Sequence, residues 1–230
     1  MLNESIRRAG WSADLEVPAP DGSWRADVMA TSPSGKRRMA CEAQLSPITN
    51  DDIQRRTDRH TAEQIACCWV SSRDRVPWLS TIPGIAATPA QPPESVERWM
   101  VYDGVVTFDP RRGAWIQVDG VTLPTLVRWV LDGGLLWHSV GRRYRRIHLP
   151  KSNATLRRSV GWTTQRSIDA ETAYEAMRQR QEAAKRARQE RERQAAEHRE
   201  QQRRQQEQAR QQELARREHD RQEQAAAQQW

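Results

Sequence analysis

Trp24-Arg25-Ala26-Asp27-Val28-Met29-Ala30, then the turn Ser32-Pro33-Ser34-Gly35, then Arg38-Met39-Ala40-Cys41-Glu42-Ala43-Gln44-Leu45 is the stretch whose reading decides the fold. Two short runs rich in small and apolar residues, separated by Pro and Gly, predict two strands joined as a hairpin. Side chains alternate across a pleated strand, so Glu42 and Gln44 share one face, while Cys41 and Ala43 point the other way, towards a small-residue core. Asp27 on one strand and Glu42 on the next can then converge.

Working outward, Leu2, Ile6 and Ala9 fall at helical spacing with Gly10 as a stop, which predicts a short helix from Leu2 to Ala9. Ala13 to Val17 reads as a strand, and Pro18-Ala19-Pro20-Asp21-Gly22 turns it back into the Asp27 strand, so three strands form a meander. Downstream of Glu42, Thr49 and Asp52 make a capping box for a helix from about Asn50 to Gln64. Ile65-Ala66-Cys67-Cys68-Trp69-Val70 is a continuous apolar run, the pattern of a strand buried on both faces.

Beyond this core (1–82), residues 83–93 hold four prolines and read as a Pro-rich linker. Strands are expected at Trp99–Phe108 and Ala114–Val118, with a helix at Leu123–Leu131, giving a small accessory α+β unit over 94–168. Residues 169–230 contain neither Pro nor Gly and are dominated by Gln, Arg, Glu and Ala, which predicts a long helical tail of roughly 90 Å if fully helical. Glu182–Arg186, Glu200–Arg204 and Glu213–Arg217 have the spacing of surface ion pairs. Leu214 and Met177 are its only large aliphatic residues, too few for the seam of a strong coiled coil.

The chain has 37 Lys and Arg against 30 Asp and Glu, a net charge of +7. The tail carries 14 basic and 13 acidic groups, so most of the excess falls on the first 168 residues. A basic surface of this kind favours a polyanion such as DNA. No apolar run reaches the roughly 20 residues needed to span a bilayer, and Met1-Leu2-Asn3-Glu4-Ser5 lacks a signal-peptide core, so a cytoplasmic protein is expected. Cys41, Cys67 and Cys68 fit neither a disulfide framework nor a spaced zinc site and read as small buried hydrophobes. No glycine-rich phosphate loop or dinucleotide fingerprint is present, which sets aside nucleotide hydrolysis and hydride transfer.

Hydrolysis of a phosphodiester calls for a divalent cation that stabilises charge on phosphate and activates water. Mg²⁺, with Mn²⁺ as a substitute, takes oxygen ligands, and Asp27, Glu42 and the Ala43 carbonyl form a suitable set, with Glu16 or Glu4 as a third acid. Gln44 can orient water or bond a phosphate oxygen but carries no charge. Arg25, on the Asp27 strand, can hold phosphate. Arg142-Arg143-Tyr144-Arg145-Arg146 sets an aromatic among cations, a pattern equally consistent with DNA contact and with solvated surface arginines. His60, His138 and His148 are scattered and read as structural, and Trp69, Trp99 and Trp129 as core fillers.

Arg25-Ala26-Asp27-Val28, Glu42-Ala43-Gln44-Leu45-Ser46, Arg56-Thr57 and Trp69 together resemble the nuclease domain of the competence protein CoiA-like family over roughly residues 1–80. The resemblance implies a PD-(D/E)xK nuclease-like α/β fold of helix, three-stranded meander, helix and strand. It also implies Asp27, Glu42 and Gln44 as the catalytic set, Mg²⁺ as the metal, DNA as the substrate and recombination proteins as partners. Arg56 joins the expected DNA contacts. Two functions follow: a metal-dependent DNA nuclease, or a DNA-binding adaptor of the same fold without turnover, whose helical tail contacts a partner.

Overall fold

Two helices close over one face of a mixed sheet and a third covers the other, in a computed structural model that describes residues 1–73, 76–88, 99–141, 144–145 and 160–227. The elements begin as expected: α1 Leu2–Arg8, β1 Ser12–Pro18, β2 Arg25–Thr31, β3 Arg38–Ala43, α2 Asn50–Ala62 and β4 Ala66–Ser71. A single 3₁₀ turn, Pro77–Ser80, then leads to β5 Gly84–Thr88. β1, β2 and β3 are antiparallel, whereas β3, β4 and β5 run parallel. A parallel pair needs a crossover, and α2 is the crossover between β3 and β4.

The chain then adds β6 Met100–Asp103, β7 Val106–Asp109, β8 Ala114–Gln117, β9 Val121–Thr122, α3 Leu123–Leu131, β10 Leu136–Ser139, β11 Tyr144–Arg145, β12 Val160–Thr163 and α4 Gln165–Ala227. The main sheet has the order β1-β2-β3-β4-β5-β6-β9; β10 pairs with β12, and β11, β8 and β7 form a third sheet.

Three expectations about organisation are corrected by this topology. Gly84–Thr88, read as linker, is a strand of the main sheet, and β6 and β9 extend that sheet, so residues 94–168 do not form a separate unit. Residues 1–174 form one unit and 175–230 a second. The run Trp99–Phe108 is two strands in different sheets: Gly104 breaks it with φ +116°, where a Cβ would lie 2.8 Å from the Gly84 carbonyl oxygen. Only glycine combines that conformation with so close an approach.

The parity of β4 divides the core. Cys68 and Val70 join Leu2 and Ile6 of α1 and Leu126, Val130 and Leu131 of α3, while Cys67 and Trp69 join Ile53 of α2 with Trp78 and Ile82. Trp69 is fully buried and Trp99 partly so, but Trp129 is 42% exposed and is not a core filler. The three cysteines are free and buried as expected. Burial pushes the Cys68 thiol up to about 12, and burial first, with nearby charge second, raises Cys41 and Cys67 well above the ordinary thiol range.

The second unit is a solvated helix along its described length. Glu200–Arg204 and Glu213–Arg217 pair as expected, but Glu182 turns back to Arg178 at 3.3 Å rather than forward to Arg186. Among the described residues no helix is long and apolar enough to cross a membrane.

Candidate functional site

β2 and β3 pair in register from Thr31↔Arg38 to Val28↔Cys41. One more step in the same register would set Asp27 opposite Glu42, but the backbone ladder ends there. Instead the Ala43 N–H donates to Asp27 Oδ2 at 2.7 Å, which ties the Asp27 carboxylate to the strand that carries Glu42. On the other side, the pairs Leu15↔Val28 and Val17↔Ala26 flank Glu16, a non-glycine residue with φ +54°. That left-handed conformation costs about 1–2 kcal/mol. The Glu16 carboxylate lies 2.8 Å from Arg25 Nε, with both side chains well exposed, so the pair contributes little and leaves Arg25 accessible.

Glu42 points to the α2 side of the sheet and is fully buried. The expected open polar face is therefore covered, for a topological reason: the β3–α2–β4 crossover lays its helix across that face. A buried carboxylate requires partners, and α2 supplies two. Arg56 Nη2 donates to Glu42 Oε2 at 2.5 Å, and His60 Nε2 lies 2.9 Å from Oε1. Arg56 also lies over the Trp69 ring, 4.7 Å from its centroid, and Trp69 pairs with Glu42 across the β3–β4 register. The Trp69 indole N–H donates to Thr57 Oγ1, whose hydroxyl donates to the Ile53 carbonyl, each at 2.8 Å. Trp24 packs edge-on against His60 at 4.7 Å, leaving His60 Nδ1 buried without a hydrogen-bond partner.

The residues expected to act together divide into two groups. Asp27 bonds the Ala43 N–H where the β2–β3 ladder ends, while the neighbouring Glu42 turns its carboxylate to Arg56 and His60 of α2. Gln44 lies just beyond, its N–H donating to the Val70 carbonyl and its Nε2 to the Ser46 carbonyl at 2.7 Å. Glu4 belongs to α1 and pairs with Arg8 at 2.6 Å; α1 buries Leu2 and Ile6 in the core cluster on the opposite face from α2. Arg142, Arg143, Arg146 and the side chains of Tyr144 and Arg145 lie outside the described residues, as does His148. Sequence reasoning missed the joining of His60 to Glu42. The signal was present: Ile53, Thr57 and His60 repeat at helical spacing and are the buried residues of α2.

The donors can be tested against Mg²⁺ from these contacts. Asp27 keeps Oδ1 without a hydrogen bond among the described residues, but both oxygens of Glu42 are held by Arg56 and His60. Among the described residues no group of three or more His, Cys, Asp or Glu is placed to hold a metal ion. In this arrangement the set does not fit the ion, because its second carboxylate is already neutralised.

No curated protein and no solved structure matches the chain. Residues 1–82 match the family model for the competence protein CoiA, nuclease-like domain, and it is this segment of the chain that is similar to that family.

Proposed function

We propose that this chain is a DNA-processing protein of the PD-(D/E)xK nuclease type that, in the arrangement described, binds DNA without hydrolysing it. One observation carries the reading: Glu42, the acid that a hydrolytic metal site would need, is fully buried with Arg56 on one oxygen and His60 on the other. The likeness of residues 1–82 to a nuclease-like domain supports a nuclease-related role, and the net charge of +7 supports a polyanionic ligand. Proteins that handle incoming or recombining DNA are the partners this role implies.

A hydrolytic reading has its own support, since Asp27 accepts from the backbone N–H of Ala43, the residue next to Glu42, where the β2–β3 ladder ends. It requires Glu42 to leave Arg56 and His60. Both readings are tested on the purified full-length chain with single- and double-stranded DNA, with Mg²⁺, with Mn²⁺ and with chelator. The binding reading expects affinity that falls steeply with salt, is indifferent to the metal, and comes without cleavage. Metal-dependent cleavage that Asp27→Ala and Glu42→Ala both abolish overturns it in favour of hydrolysis.

A further inference from the structure

Beyond the carboxyl ends of the parallel strands β3 and β4 lies a cavity of about 250 Å³, lined by Gln44, Ser71, Arg73, Pro47, Pro77 and Trp78 among others. The region past the carboxyl ends of parallel strands is where open α/β sheets hold ligands. The volume lies just under the range of pockets for drug-sized ligands, which suits one planar ring system rather than two.

The polar groups are arranged for a ligand edge that both donates and accepts. Gln44 Nε2 donates to the Ser46 carbonyl, which can only accept, so the amide orientation is set and Oε1 remains as an acceptor. Ser71 is 2% exposed, and its hydroxyl oxygen accepts from the Arg73 N–H at 3.3 Å, leaving the hydroxyl hydrogen to donate. The Arg73 side chain is exposed and forms no ion pair among the described residues, unlike Arg25 and Arg56. The Arg73 carbonyl accepts from the Tyr102 hydroxyl, which anchors the backbone of this segment.

The apolar wall is held from behind. Trp78 packs edge-on to Trp69 with ring centroids 6.1 Å apart, and Gly84 makes room for it, since a Cβ there would meet Trp78 Cζ3 at 2.7 Å.

We propose that this cavity takes one unpaired nucleotide of DNA, with its base edge on Gln44 Oε1 and the Ser71 hydroxyl and its phosphate on Arg73. The inference rests on the DNA-binding reading above and deepens it: a base whose edge is free enters such a pocket, so single-stranded or frayed DNA is the preferred form. Duplex pairing hides that edge.

The test measures binding of the full-length chain to oligo-dT, oligo-dA, the duplex of the two, and an abasic deoxyribose-phosphate oligomer of the same length. The single-stranded oligomers with bases are expected to bind roughly tenfold more tightly than the abasic one. Gln44→Ala removes that difference and leaves abasic affinity in place. Arg73→Ala, at an exposed position where folding is not at stake, weakens every oligomer and lowers the salt slope by about one. Binding in which the abasic oligomer or the duplex equals the single strands, or which neither variant alters, overturns the pocket while the DNA-binding reading stands. Absence of binding to every oligomer overturns both.

Discussion

The same chemical pair, arginine with glutamate, occurs in two settings in this molecule. In the first unit Arg56 meets a Glu42 carboxylate that is fully buried; in the second, Arg188–Glu192 and Arg193–Glu197 pair with each side chain more than half exposed. Distances are similar, 2.5 Å against 2.8 and 2.9 Å. What differs is the alternative open to each carboxylate. On α4, water replaces a lost arginine, so the pair contributes a few tenths of a kcal/mol, and the order Arg before Glu is the weaker orientation. Beneath α2, water cannot follow, and Glu42 without Arg56 would be left on His60 alone. Separation alone therefore does not rank an ion pair; burial does.

The comparison breaks most readily at Arg56. Arg56→Ala is expected to destabilise the protein by about 2–5 kcal/mol, towards the lower end because 38% of the arginine side chain is exposed and part of its contact is screened. Urea unfolding followed by tryptophan fluorescence measures this, and a loss no larger than that of a tail pair would remove the distinction between the two settings.

Thr49→Ala probes an intermediate case, where a side chain serves backbone at the exposed start of α2. The Asp52 N–H donates to Thr49 Oγ1 at 3.1 Å, and the Thr49 hydroxyl donates to Asp52 Oδ2 at 2.6 Å. Loss of the cap is expected to cost about 0.5–2 kcal/mol at neutral pH. The Thr49 hydroxyl, with Arg55 beside it, holds the Asp52 carboxyl below its ordinary range. A lowered carboxyl stabilises the fold above its unfolded value, near pH 4, and that contribution disappears as pH falls through the folded value. The difference between wild type and Thr49→Ala should therefore shrink on acidification below about pH 4, and a difference constant with pH would contradict the bond to the carboxylate.

The smallest effect is expected at Arg193→Ala, within about 0.5 kcal/mol and visible only as a slight loss of helical circular dichroism. A cooperative loss of α4 in that variant would show that its pairs act as a network rather than singly.

Much of the candidate site was legible because strand alternation and hairpin turns are local. Those signals placed Asp27 and Glu42 on neighbouring strands, and Thr49 with Asp52 marked the start of α2. The covering of Glu42 was not legible in the strand alone, since alternation separates two faces without saying which one a helix will close. The spacing of Ile53, Thr57 and His60 held that information, but only for a reader who already knew that α2 crosses between parallel strands. The linker expected at 83–93 failed for a related reason. Pro83 immediately precedes the short strand Gly84–Thr88, and pairing of that strand with both β4 and β6 is a long-range fact.

The sequence by itself determined the order helix, meander, helix, strand, the presence of two acids at the ends of paired strands, and a solvated charged helix after them. Each follows from interactions within a few residues: side-chain periodicity, turn chemistry and caps. Tertiary structure alone decided that the Glu42 carboxylate is held by Arg56 and His60 and that β5, β6 and β9 complete the first sheet. It also decided that Gln44, Ser71 and Arg73 surround one cavity. These depend on which surfaces exclude water when distant segments pack, and that is a property of the assembled layers.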